Sequence, residues 1–150
     1  MKNKRIVITG MGLVSCFGND VDQFYNSLLE GKSGICPITA FPCESFATRF
    51  AGSISDFDPG TYIEKKQARR VDPFIAYAMV AGKKALQLAQ LDPTTLSLSQ
   101  KERSGVLIGS GMGGMGVFAD GVQALLENGP RRVTPFFVPF IIKFQTLVIF

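Results

Sequence analysis

The chain has 150 residues, 46% of them hydrophobic and 19% charged. That is the length of one domain or part of one, with the composition of an ordinary globular protein. A disordered tail, a collagen-like fibre and a disulfide-dense miniprotein are excluded. Sixteen Lys and Arg against twelve Asp and Glu leave +4, too mild a balance to imply nucleic acid unless the charge is clustered. Histidine is absent from these residues, so on their own they run neither Ser-His-Asp nor Cys-His chemistry and build no His-ligated metal site.

Arg5 to Thr9 reads as a short buried strand bounded by Gly10-Met11-Gly12. It starts almost at residue 1, and Ile6-Val7-Ile8 is far too short for the apolar part of a signal peptide. Asn19-Asp20 offers an N-cap. Val21, Phe24, Tyr25, Leu28 and Leu29 then follow at helical spacing, with a stop at Gly31. A strand followed at once by a helix is α/β grammar. Residues 32–62 are irregular and rich in Gly and Pro, with an edge strand expected within Thr48 to Ile54.

Lys65 to Arg70 is the one charge cluster, with four basic residues of six. It gives way to Asp72-Pro73, an N-cap followed by a proline at the first helical position. A long, largely apolar helix follows to about Gln90 and is expected to be mostly buried. Asp92 to Lys101 is a polar loop with room for one helical turn. Gly105 to Ile108 is a second buried strand. It enters Gly109-Ser110-Gly111-Met112-Gly113-Gly114 and then a helix carrying Phe118, Val122, Leu125 and Leu126, closed by Asn128-Gly129-Pro130. Lys143 to Phe150 ends in an uncapped Leu-Val-Ile-Phe run. It is either a last buried strand or, as preferred here, a divergent tail where the domain is interrupted. No run of about 18 apolar residues predicts a membrane span.

The glycine loop matches G-x-G-x-x-G between a strand and a helix, the context for dinucleotide binding. The acidic ribose ligand expected about twenty residues on is missing: Thr134 stands there. Close backbone packing is the plainer reading. The basic cluster is either a solvated face or a patch for an acidic partner, too short to follow a duplex. Phe136, Phe137 and Phe140, interleaved with Pro135 and Pro139, suit a core, a subunit interface or the wall of an apolar pocket. Cys16, Cys36 and Cys43 have no paired spacing and read as free thiols of a reducing compartment, used as small hydrophobes.

Six segments occur together in one order: Val7 to Gly12, Val14 to Gly18, Ala47 to Gly52, Ala68 to Phe74, Ile108 to Gly114 and Pro135 to Pro139. In this set the chain resembles the N-terminal part of a β-ketoacyl-[acyl-carrier-protein] synthase of the elongating I/II type, over about Lys4 to Ile142. The resemblance implies an α/β fold, the incomplete N-terminal half of a thiolase-like layered architecture, with residues 1–142 as the partial domain. It removes the dinucleotide reading and implies no cofactor and no metal.

The implied activity is that of a fatty-acid-synthesising acyltransferase. A cysteine accepts the growing acyl chain, and malonyl-carrier protein loses carbon dioxide and attacks the thioester, with two histidines assisting. The nucleophile motif, histidines and supporting lysine lie beyond the matched segments. Cys16 stands where the family often has proline, and Cys36 and Cys43 match no nucleophile. No catalytic residue is therefore assigned, and the chain alone is expected to lack turnover. The alternatives are a non-catalytic carrier-binding or dimerising fragment and an inert truncated product. The resemblance places Lys66, Arg69 and Arg70 in one patch that docks an acidic acyl carrier protein, and Arg131 and Arg132 in a second. It makes Met112 a lining residue of the acyl pocket and Phe137 one that reaches the neighbouring subunit's pocket across a homodimer. A cytoplasmic location is expected, with a plastid as alternative.

Overall fold

The computed structural model describes residues 5–55, 57–69, 71–135 and 137–141. Arg70, Phe136, Ile142 and the 143–150 tail, all singled out above, lie outside the described residues, as does the side chain of Phe140. The elements in chain order are α1 (Val21–Leu29), β1 (Cys36–Pro37), β2 (Phe50–Ala51), α2 (Lys65–Ala68), α3 (Pro73–Leu88), α4 (Leu98–Glu102), α5 (Met115–Asn128), a 3₁₀ turn (Pro130–Arg132) and α6 (Phe137–Ile141).

Helices α1, α3 and α4 start on side-chain caps. The Asp20 carboxylate accepts the Gln23 N–H at 2.8 Å and caps α1. Asp72 caps α3, with Pro73 in the first turn where a missing N–H costs nothing. Ser97 and Gln100 form a reciprocal capping box on α4. α3 ends two residues before Gln90, whose φ of 56° is left-handed and cannot extend the helix. Gly129, at φ 77°, terminates α5 as its position before Pro130 predicts. The expected edge strand is real but short: Pro37 pairs with Phe50 and Cys36 with Ala51, antiparallel.

The core gathers on the first half of α3. Ile75, Ala76, Met79 and Val80 are buried together with Ile63 and Val71, flanked by Val14, Phe57, Tyr62, Ala68 and Phe74. The N-terminal segment is laid against the other end of that helix. A Cβ at Gly10 would overlap the Ala85 carbonyl oxygen and one at Gly12 that of Ala81, so glycine is what lets the two backbones touch. Two consecutive lysines of α3 pull in separate loops. Lys83 Nζ donates to the Tyr62 carbonyl at 2.7 Å. Lys84 Nζ donates to the Asn19 carbonyl at 2.5 Å and lies 5.8 Å from the Tyr62 ring centre.

The two buried strands read from the sequence are not paired. Arg5 to Thr9 and Gly105 to Ile108 carry no strand ladder, and Ile6, Ile8 and Leu107 are 95%, 84% and 100% exposed. Their β-branched apolar runs belong to the centre of a parallel sheet, and pairing is non-local: the described residues contain no neighbouring strand for either.

Candidate functional site

A groove of about 410 Å³ runs between the start of α3 and α5. Val71, Asp72 and Pro73 form one wall, and Gly116, Val117, Asp120, Gly121 and Ala124 of α5 the other. Arg69, Arg132, Val133, Thr134 and Phe137 complete it. Two glycines inside α5 make the approach possible. A Cβ at Gly116 would sit 3.3 Å from the Asp72 carboxylate, and one at Gly121 would overlap the Phe137 ring. Interior glycines cost an isolated helix roughly 1 kcal/mol each relative to alanine. Here they admit a carboxylate and a ring against the helix. Phe137 also stacks on Phe118, with ring centres 6.1 Å apart and planes at 28°.

The groove thus joins members of the two basic clusters that spacing alone leaves separate: Arg69 follows α2 and Arg132 lies in the turn after α5. Both are exposed, as are Lys66 and Arg131. Two carboxylates, Asp72 and Asp120, face the same space, so the groove is amphoteric and its basic groups are offered outward at the rim. A second cavity of about 430 Å³ also has Arg69 on its border, beside Phe57, Pro59, Ala76 and Tyr77. Phe57 and Tyr77 meet edge to face there at 4.7 Å. Met112 is 77% exposed and lines neither cavity.

Asp120 and Thr134 are groove residues that the sequence reading missed. The signal was present at Gly116 and Gly121, since glycine inside a helical pattern marks a close approach.

The glycine loop is not built to hold a pyrophosphate. Methyl groups at Gly109 and Gly111 would meet no described atom within 4 Å, whereas Gly113 lies close to the Ile141 carbonyl. That carbonyl accepts the Gly114 N–H at 3.1 Å, taking a donor that an anion at this helix start would need. Close backbone packing therefore holds at Gly113 and Gly114 and not at Gly109 and Gly111. The Ser110 hydroxyl caps the turn by accepting the Gly113 N–H at 2.9 Å.

The three cysteines are free thiols. Cys43 is buried and directs its Sγ at the Ile38 carbonyl, while Cys16 and Cys36 are exposed. No group of three or more Cys, Asp and Glu suited to a metal ion occurs among the described residues, and no helix there is long and apolar enough to cross a membrane.

Comparison with known proteins places this architecture. The family described as "Beta-ketoacyl synthase, N-terminal domain" matches residues 3–145, and the chain belongs to that family. It is 53% identical over 139 residues to the 3-oxoacyl-[acyl-carrier-protein] synthase I, chloroplastic, of Arabidopsis thaliana, covering 93% of this chain and 29% of that protein. With 3-oxoacyl-[acyl-carrier-protein] synthase 2 of Vibrio harveyi it shares 48% identity over 139 residues, covering 93% of this chain and 33% of the relative. The chain therefore spans about a third of the length of the curated relatives it matches.

Among solved structures, a beta-ketoacyl synthase from Burkholderia phymatum superposes with a TM-score of 0.74 at 27% identity, over 97% of this chain and 36% of that one. A ketosynthase in complex with its type II PKS acyl-carrier protein, bound to the hexaketide, gives the same TM-score and identity over 97% and 37%. The fold is the thiolase-like α/β fold of the ketosynthases, represented here by an N-terminal part.

Proposed function

We propose that the chain supplies the N-terminal part of a 3-oxoacyl-[acyl-carrier-protein] synthase of fatty acid biosynthesis, an acyltransferase that extends acyl chains by decarboxylating condensation with malonyl-carrier protein. The observation that carries this reading is the family match over nearly the whole chain, joined to 53% and 48% identity with two such synthases.

Within that reading, the rim of the groove is the docking surface for an acidic acyl carrier protein. Arg69 and Arg132 lie on it, Lys66 and Arg131 are exposed beside them in sequence, and Arg70 belongs to the same cluster. Association through such rim charges gains speed and orientation more than raw affinity. The complex of a ketosynthase with an acyl-carrier protein among the structural relatives supports this partner. Phe137, held over Gly121 by its stack on Phe118, and Met112, at the glycine loop, are assigned to the acyl pocket. Phe137 does so as a contribution to the neighbouring subunit of a homodimer. The compartment is cytoplasmic in this proposal, with a plastid as the alternative that the chloroplastic relative supports.

These 150 residues on their own are assigned no condensation turnover. They hold no histidine, one thiol is buried, and none has a base of that kind to activate it. Two assays on the purified chain test the proposal together. Fluorescence anisotropy of a labelled acyl carrier protein is expected to show saturable binding at low salt, and a malonyl-dependent condensation assay to show no product. Absence of binding at low salt would overturn the docking role, and any condensation product would overturn the assignment of no turnover.

A further inference from the structure

Ser15, Cys16, Phe17 and Gly18 make a tight turn. Ser15 and Gly18 exchange both backbone hydrogen bonds, at 3.0 and 3.1 Å, and the Ser15 hydroxyl accepts the Phe17 N–H at 3.1 Å. The Cys16 thiol is therefore carried on a turn of fixed shape. It rests on Gly34: a Cβ there would overlap the Cys16 Sγ and lie 3.4 Å from the Cys16 Cβ. Two residues further on, Cys36 stands in β1, paired with Ala51. The pairing reaches back one step, since a Cβ at Gly52 would meet the Ile35 Cδ1 at 3.7 Å. Positions two apart in an extended segment face the same side. Gly34 and Cys36 thus share a face, and Cys16 lies on that face one strand repeat from Cys36. Both thiols are free and exposed, whereas Cys43 is buried with its Sγ at the Ile38 carbonyl.

We propose that Cys16 and Cys36 are a reversible modification site, closed to an internal disulfide by a low-molecular-weight disulfide of the glutathione class. A cavity of about 420 Å³ bordered by Cys16, Phe17, Lys32 and Ile54 gives such a reagent access. One strand repeat is about 7 Å and a disulfide brings two Cβ atoms to about 4 Å, so closure asks the turn to slide about 3 Å along β1. Glycine at 34 leaves that track clear of any side chain. One cysteine, as thiolate, attacks the small disulfide and expels one small thiolate. The other loses its proton, attacks the protein sulfur of the mixed disulfide and expels the second. The protein thiols give up two electrons, and the small disulfide is reduced to two thiols. α1 lies wholly between Cys16 and Cys36 in sequence, so the bond ties the turn before that helix to the strand after it. The site stands apart from the synthase reading and does not depend on it.

The test holds the 150-residue chain in mixtures of reduced and oxidised glutathione, quenches with acid and alkylates the remaining thiols under denaturing conditions. Intact mass and peptide mapping are expected to show a monomer lighter by two hydrogens, cross-linked from Cys16 to Cys36, with Cys43 alone alkylated. The folded chain should reach half oxidation at a glutathione disulfide level at least about tenfold lower than the same chain in denaturant, because only the fold holds the pair close. Cys16→Ser and Cys36→Ser should each stop at a mixed disulfide with glutathione, and Cys43→Ser should leave the bond intact. Hydrogen exchange of the α1 amides should slow on oxidation and recover on reduction.

Glutathione on both cysteines without a cross-link, a bond that includes Cys43, a disulfide-linked dimer in place of the internal bond, or equal oxidation in denaturant would each overturn the proposal.

Discussion

Arg69, which follows α2, and Arg132, in the 3₁₀ turn after α5, line the same groove although the whole of α3, α4 and α5 separates them in sequence. The juxtaposition depends on Gly116 of α5 approaching the Asp72 cap of α3 and on the Phe137 ring seating over Gly121. Charges presented this way at a solvent-exposed rim are screened over about 10 Å at 0.1 M salt. Carrier binding by the chain is therefore expected to weaken steadily as salt is raised from about 0.05 to 0.3 M. Anisotropy across that range checks it, and salt-independent binding would place the contact elsewhere.

The N-terminal glycines give a sharper structural test. Gly10→Ala and Gly12→Ala each force a methyl group onto a backbone carbonyl of α3, which cannot move aside as a side chain would. Each is expected to destabilise the chain by about 1–3 kcal/mol, as overpacking does. Gly109→Ala meets open space and is expected to change stability by less than about 0.5 kcal/mol. Denaturant titration followed by circular dichroism separates the two cases.

The core is small, so it is sensitive. Among the described residues, Ile75 and Val80 are the fully buried large side chains. Ile75→Ala is expected to cost about 2–5 kcal/mol through lost burial and the cavity left behind. Total stabilities of domains are only about 5–15 kcal/mol. The variant should lose most of its cooperative melting transition, read by scanning calorimetry.

Asp92 supplies a local pH probe. The Thr94 hydroxyl, first, and the Thr94 backbone N–H, second, donate to its carboxylate and hold its pKa below the ordinary carboxylate value. A depressed folded-state pKa means that this turn's contribution is present above the unfolded pKa and is lost as pH falls through the folded one. The loss therefore belongs to the acid side, below the ordinary carboxylate range. Thr94→Val removes the hydroxyl donor and is expected to raise the Asp92 pKa, observed as a shifted carboxyl titration by NMR.

Legibility from sequence followed the range of the interactions. α1, α3 and α5 were readable because their signals are local: Asp20 before an apolar period, Asp72-Pro73 as cap and first turn, Gly129-Pro130 as stop. The segments at Ile6 and Leu107 were readable as strands but not as a sheet, because a ladder needs partners from elsewhere. The groove was half legible. Arg69, Arg132 and Phe137 stood out by type, but nothing in their spacing places them around one space. Asp120 was missed as an acid in a helix already assigned by its apolar face. The tie from Lys84 to the Asn19 carbonyl has no sequence signature, because any long amine reaching any carbonyl would do.

The most direct measurement of the account is a double-mutant cycle on carrier binding, using Arg69→Glu, Arg132→Glu and the pair, each checked for unchanged helical circular dichroism. If the groove rim is the docking surface, each reversal weakens binding at low salt by at least about tenfold, or roughly 1.4 kcal/mol. The pair should then depart from additivity by about 0.5 kcal/mol or more, as expected for charges facing one partner. Binding unchanged in the double variant would contradict the account, because the groove rim that Arg69 and Arg132 share would then have no part in recognising the carrier.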